Sequence, residues 1–92
     1  MTNSVFLVGR LVNEVIDDVI ELSVNRVNKN EEGIYESDII PMIVWEGITK
    51  QMKEYCQKGD LIGVRGRLET RDGKVLVVGE KVTFLSSKKV EE

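Results

Sequence analysis

The chain has 92 residues, 41% apolar and 32% charged, with a formal net charge of −3. That is one domain's worth of sequence with a thin core, and the acidic balance argues against a surface coated in basic groups for phosphate. With no histidine and one cysteine, an internal disulfide and a single-chain structural zinc site are excluded, and no metal or cofactor is expected.

The start, Met1 to Ser4, has no basic region before Val5 and does not read as a signal peptide. No apolar run approaches the roughly 20 residues a transmembrane helix needs. A cytoplasmic protein without membrane contact is the expectation.

Val5 to Val12 is β-rich, with Gly9 where a strand could bend. Asn13-Glu14 and Asp17-Asp18 are polar interruptions. Ile20 to Arg26 then alternates with period two, which turns Ile20, Leu22 and Val24 inward. Asn28 to Gly33 is a loop by composition. The next strand is predicted from about Ile34 to Trp45; Pro41 inside it marks an edge or a neighbouring bulge.

Glu46-Gly47 closes that strand. Ile48, Met52, Tyr55 and Cys56 follow at helical spacing, and Lys58-Gly59 ends the helix. Cys56 reads as a small buried hydrophobe. Leu61 to Arg71 is strand, Asp72-Gly73 is a hairpin turn, and Val75 to Leu85 is a last strand bent near Gly79.

Five strands with one short helix between the third and fourth predict an all-β fold, the oligonucleotide-binding (OB) Greek-key barrel, over residues 1–86. A short polar end without an acidic tip would occupy 87–92. An open five-stranded sheet is the competing arrangement. Gly9, Gly63, Gly66 and Gly79 favour closure, because barrels need kinks and bulges.

Arg65, Arg67, Glu69 and Arg71 share one face of the fourth strand, with Ile62, Val64 and Leu68 on the other. Arg10, Arg26, Lys29 and Lys74 would join this stripe if the barrel brings their ends together. Such a stripe can track a phosphate backbone; it can equally be a solvated face holding a Glu69–Arg pair. In the third strand, Ile39, Pro41, Ile43 and Trp45 alternate with Ile40, Met42 and Val44, so both faces are apolar. Trp45 is either a base-stacking platform or a core or subunit contact. Tyr35 is a second platform. Phe6 and Phe84 read as core, and Tyr55 as the helix face against the barrel end. No nucleophile elbow, phosphate-binding glycine loop or ligand cluster is present, so no enzyme is expected.

Several of these segments resemble bacterial single-stranded DNA-binding proteins. Asn3 to Leu11 is similar to their N-x-V-x-L-V-G-R-L opening, and Leu22-Ser23-Val24-Asn25-Arg26 to their second strand, with Lys29 as the basic residue after it. Glu54 to Val64 resembles E-Y-x-x-K-G-x-x-x-x-V, and Gly66 to Arg71 resembles G-R-L-x-T-R. The resemblance spans about residues 3 to 85. It implies an OB fold, a homo-oligomer (a tetramer favoured, a dimer possible) and sequence-tolerant binding of single-stranded DNA in replication, recombination or repair.

The departures are specific. Asn28 stands near the place of an aromatic after the second strand, and Ile39 near that of an early third-strand aromatic; Trp45 keeps the later one. The hairpin of the last two strands is cut to Arg71-Asp72-Gly73-Lys74. Fewer stacking platforms imply weak affinity or a short footprint. The family's acidic, hydrophobic tail tip has no counterpart in Lys88 to Glu92, so tail-mediated partners are not expected. A short OB chain also resembles the primosomal replication protein B type, faintly through Pro41 to Val44. The alternative function is an oligomeric OB adaptor with weak or no DNA binding.

Overall fold

The computed structural model describes residues 1–86; the polar end expected at 87–92 lies outside the described residues. The elements are β1 (Val5–Leu11), β2 (Val19–Lys29), β3 (Tyr35–Val44), α1 (Glu46–Tyr55), β4 (Leu61–Arg71) and β5 (Lys74–Phe84). The strands close into a barrel in the order β1-β2-β3-β5-β4. This is the five-stranded barrel with a helix between β3 and β4 that the sequence predicts.

Closure rests on one short parallel ladder, in which Met42, Ile43 and Val44 of β3 face Val77, Val78 and Gly79 of β5. All other pairs are antiparallel. Parallel strands need a long crossover, and α1 with β4 supplies it. Pro41 lies one residue before this ladder begins, where β3 is still an edge on that side; a residue without an N–H fits there.

The core follows the alternation. Ile20 and Leu22 of β2, Met42 and Val44 of β3, Ile62 and Val64 of β4, and Val77 of β5 are buried together with Leu11 of β1. Ile48 and Met52 of α1 plug one end of the same cluster. Each such side chain contributes about 1.5–3 kcal/mol on burial. Asp72 and Gly73 both take positive φ, 52° and 78°, as the tight turn between β4 and β5 requires. Arg65 pairs with Lys81 and Gly66 with Gly79, leaving Glu80 as the extra residue of a bulge in β5. At Gly66 the strands approach so closely that a Cβ would overlap the Val78 carbonyl.

Several details differ from the sequence expectation: β2 continues through Lys29 into the expected loop, and α1 ends at Tyr55. β3 stops at Val44 and α1 begins at Glu46, so Trp45 is the residue that caps the helix. Its carbonyl accepts the N–H groups of Ile48 (3.0 Å) and Thr49 (3.1 Å), which pulls the first turn forward. Phe6 is not core: it is 63% exposed, because Leu7 and Leu11 take the inward positions of β1. Leu68 is also exposed, since this part of β4 runs toward the hairpin tip, where burial along β4 falls away. Phe84 does pack against the core, and its ring lies 5.9 Å from that of Tyr55. Cys56 is half-buried against the core.

Candidate nucleic-acid interface

The outer face of β3, β5 and β4 carries a row of paired residues. Val19 of β2 faces Ile43, Ile43 faces Val78, and Val78 faces Arg67. Glu69 faces Leu76, and Arg71 faces Lys74, further toward the hairpin tip. A groove of about 400 Å³ runs here, lined by Ile43, Trp45, Val78, Arg67, Arg71 and Glu80 among others. Its walls combine an aliphatic floor, one indole and two guanidiniums.

Trp45 is 65% exposed. Its ring folds back over the first turn of α1, so that a Cβ on Gly47 would overlap the six-membered ring. The backbone beneath is held firmly. Buried Thr49 donates its hydroxyl to Asp18 Oδ1 (2.8 Å) and lies 3.3 Å from the Trp45 carbonyl. Asp18 is thus a tether between the β1–β2 loop and the helix, a role that its adjacency to Asp17 does not suggest.

The arginines of β4 are paired with the chain's own acids. Arg67 donates Nε and Nη2 to Glu69 Oε2 and Nη1 to Glu80 Oε2 (2.5 Å for the latter). Arg71 donates Nε and Nη2 to Glu69 Oε1, at 3.2 and 3.0 Å. Hydrogen bonds from Arg67 and then Arg71 hold the Glu69 carboxyl below the usual carboxylate range. Bonds to Glu80 and Glu69 raise Arg67 further above its already high value. Arg65 stands apart from this set, facing Phe6 on one side and Lys81 on the other. Among the described residues neither Arg65, Lys74 nor Lys81 is in an ion pair.

The other candidates fall elsewhere. Lys29 and Tyr35 pair across the β2–β3 hairpin, with the ammonium 5.5 Å from the ring centre. Tyr35 is exposed and, two residues at a time, shares a strand face with Ile39 and Ile43. Arg26 does not join that face. It donates Nε and Nη2 to Asp38 and Nη1 to Glu36, and Asp38 pairs with Val24, whose side chain packs on the core. Its lock to two acids makes it a brace of the hairpin. Arg10 lies on β1, where its Nη1 donates to the Gly59 carbonyl (3.0 Å), beside a second groove that includes Ser23 and Asn25. The structure therefore brings Trp45, Arg67 and Arg71 together, with Lys74 beside Arg71, and leaves Arg10, Arg26, Lys29, Tyr35 and Arg65 outside that groove. Among the described residues no cluster of His, Cys, Asp and Glu could hold a metal ion, and no helix is long and apolar enough to cross a membrane.

The fold and sequence have close counterparts. The chain is 38% identical to single-stranded DNA-binding protein 3 of Listeria innocua, over 96% of this chain and 66% of that protein. It is 36% identical to single-stranded DNA-binding protein 1 of Clostridium acetobutylicum, over 95% of this chain and 96% of that one. The chain thus spans about two thirds of the first relative and nearly all of the second. Among solved structures, a mitochondrial single-stranded DNA binding protein of S. cerevisiae superposes with a TM-score of 0.70 at 17% identity, covering 98% of this chain and 100% of that one. A Plasmodium falciparum SSB in complex with ssDNA also gives 0.70, at 20% identity, covering 94% of this chain and 96% of that one. At such identities these two speak for the barrel alone. The family model described as the single-strand binding protein family matches residues 2–86, and the chain belongs to that family.

Proposed function

We propose that this protein holds single-stranded DNA without sequence preference and performs no chemistry on it. The observation that carries the reading is the exposed Trp45 indole beside the Arg67 and Arg71 guanidiniums in one groove. Bases of any identity can stack on an aromatic ring for about 1–3 kcal/mol each, while guanidiniums answer the phosphates. Lys74, Arg65 and Lys29 with Tyr35 extend the contact along the two hairpins, and Arg10 adds charge at the second groove on β1. Arg26 contributes through the hairpin it braces. A homo-oligomer, a tetramer before a dimer, in the cytoplasm completes the reading, which places the protein in replication, recombination or repair.

One observation favours a second reading. Arg26, Arg67 and Arg71 are each already bound to acids of the same chain, as an adaptor barrel with little affinity for DNA would tolerate. Titration of oligo-dT of about 35 nucleotides, long enough for several OB-type sites of about 4–16 nucleotides, separates the two. Saturable quenching of Trp45 fluorescence that weakens as salt rises is expected. No binding at low salt would leave the adaptor.

A further inference from the structure

Glu69 uses its two carboxylate oxygens separately, one toward Arg67 and one toward Arg71. A phosphate lying between two arginines would be bound in the same way, oxygen by oxygen. Glu80 takes the remaining Nη1 of Arg67 at 2.5 Å. It is placed to do so by the bulge, which makes Glu80 the unpaired residue of β5 opposite Arg65 and Gly66. Two guanidiniums thus meet two carboxylates, and the basic part of the groove is electrically neutral as it stands.

We infer that Glu69 and Glu80 are built-in competitors for phosphate, which keep the Arg67–Arg71 pair occupied until a nucleic acid displaces them and so limit how tightly the groove holds a strand. The inference rests on the DNA-holding reading above and adds its regulation. The carboxylates have the acceptor geometry that phosphate oxygens need, and Glu80 and Arg67 are both solvent-accessible, so exchange requires only side-chain rotation. Binding then trades one ion pair for another. The arginines' gain from phosphate is offset by the loss of Glu69 and Glu80, and the two freed carboxylates repel the strand. The groove holds DNA loosely and releases it readily, and its salt dependence falls short of what the arginine count suggests.

The test is Glu80→Gln and Glu69→Gln, each isosteric, with Glu54→Gln on the helix as a control that changes net charge equally without touching the groove. Each is titrated with oligo-dT across a salt series, with circular dichroism to verify the fold. Glu80→Gln and Glu69→Gln are expected to bind at least about threefold more tightly than the parent at low salt. The slope of log affinity against log salt should steepen by about 0.7 in Glu69→Gln, which sets Arg71 free while Arg67 keeps Glu80, and by less in Glu80→Gln, where Arg67 keeps Glu69. In an Arg67→Ala background, Glu80→Gln should gain less over Arg67→Ala alone than it gains over the parent. Unchanged affinity and slope in both variants, or an equal gain in Glu54→Gln, would overturn the inference while leaving the DNA-holding reading in place, provided the parent binds. If neither the parent nor any variant binds oligo-dT at low salt, both readings fall.

Discussion

The indole of Trp45 lies over Gly47 at the first turn of α1, where a Cβ on Gly47 would overlap the six-membered ring. The residue that follows the third strand is therefore oriented by the absence of a side chain two positions later. Gly47→Ala should displace the indole without harming the helix, since alanine is the better helix former by about 1 kcal/mol. Expected outcomes are an altered Trp45 emission maximum, a smaller quench on adding oligo-dT, and a melting temperature equal to or above the parent's. An unchanged emission spectrum would show that the ring does not depend on this seat.

Asp18 should matter more than its place in a polar loop suggests. Its Oδ1 accepts the buried Thr49 hydroxyl at 2.8 Å, and its own carbonyl accepts the Val44 N–H at 2.8 Å. Asp18→Ala keeps the backbone bond and removes the carboxylate, at a cost of about 1.5–3 kcal/mol for a hydrogen bond to a charged group. Thr49→Val removes the other partner and should cost a similar amount, because the Thr49 hydroxyl left by Asp18→Ala still has the Trp45 carbonyl at 3.3 Å. Urea unfolding of the two single variants and the double variant measures the coupling, which should be clearly non-additive.

Much of this fold is legible in the sequence because its signals are local. The alternation from Ile20 to Val24 and the Asp72-Gly73 turn each depend on neighbours a few residues away. Parity within β2 puts Arg26 in step with Ile20, Leu22 and Val24, but which face of β3 holds Tyr35 is open in the sequence, because both faces of that strand are apolar, and the cross-strand register decides it. Pairing across strands is different. Arg67 and Glu69 are two apart and their contact can be anticipated, whereas Glu80 reaches Arg67 only through the offset of a bulge in another strand. The exposure of Trp45 was hidden for a related reason. Alternation assigns it a strand face, but the helix recruits its carbonyl and ends the strand one residue earlier.

Acid should loosen the β2–β3 hairpin. The hydrogen bond from Arg26, ahead of its charge, holds the Asp38 carboxyl below its ordinary value. A carboxyl depressed in the folded state stabilises that state fully above its unfolded pKa, near 4. The contribution is lost as pH falls through the folded value. Asp38→Asn should therefore be less stable than the parent at pH 7, and the gap between them should close as pH falls below about 4. Both partners are solvent-exposed, so the gap is small. Urea midpoints for both chains at several pH values check it; a gap independent of pH would exclude Asp38 as its source.

Trp45→Ala separates two roles for one side chain. If the indole serves as a stacking platform, its loss should cost about 1–3 kcal/mol of binding, roughly 5- to 150-fold in affinity. Stability should barely change, because a ring that is 65% exposed contributes little to the core. If another copy of the chain covers the indole instead, the same change should lower the sedimenting mass before it lowers affinity per protomer. Sedimentation velocity and oligo-dT titration on one preparation distinguish the cases. An intact oligomer with weakened binding is expected, since Trp45 lines the same groove as Arg67 and Arg71.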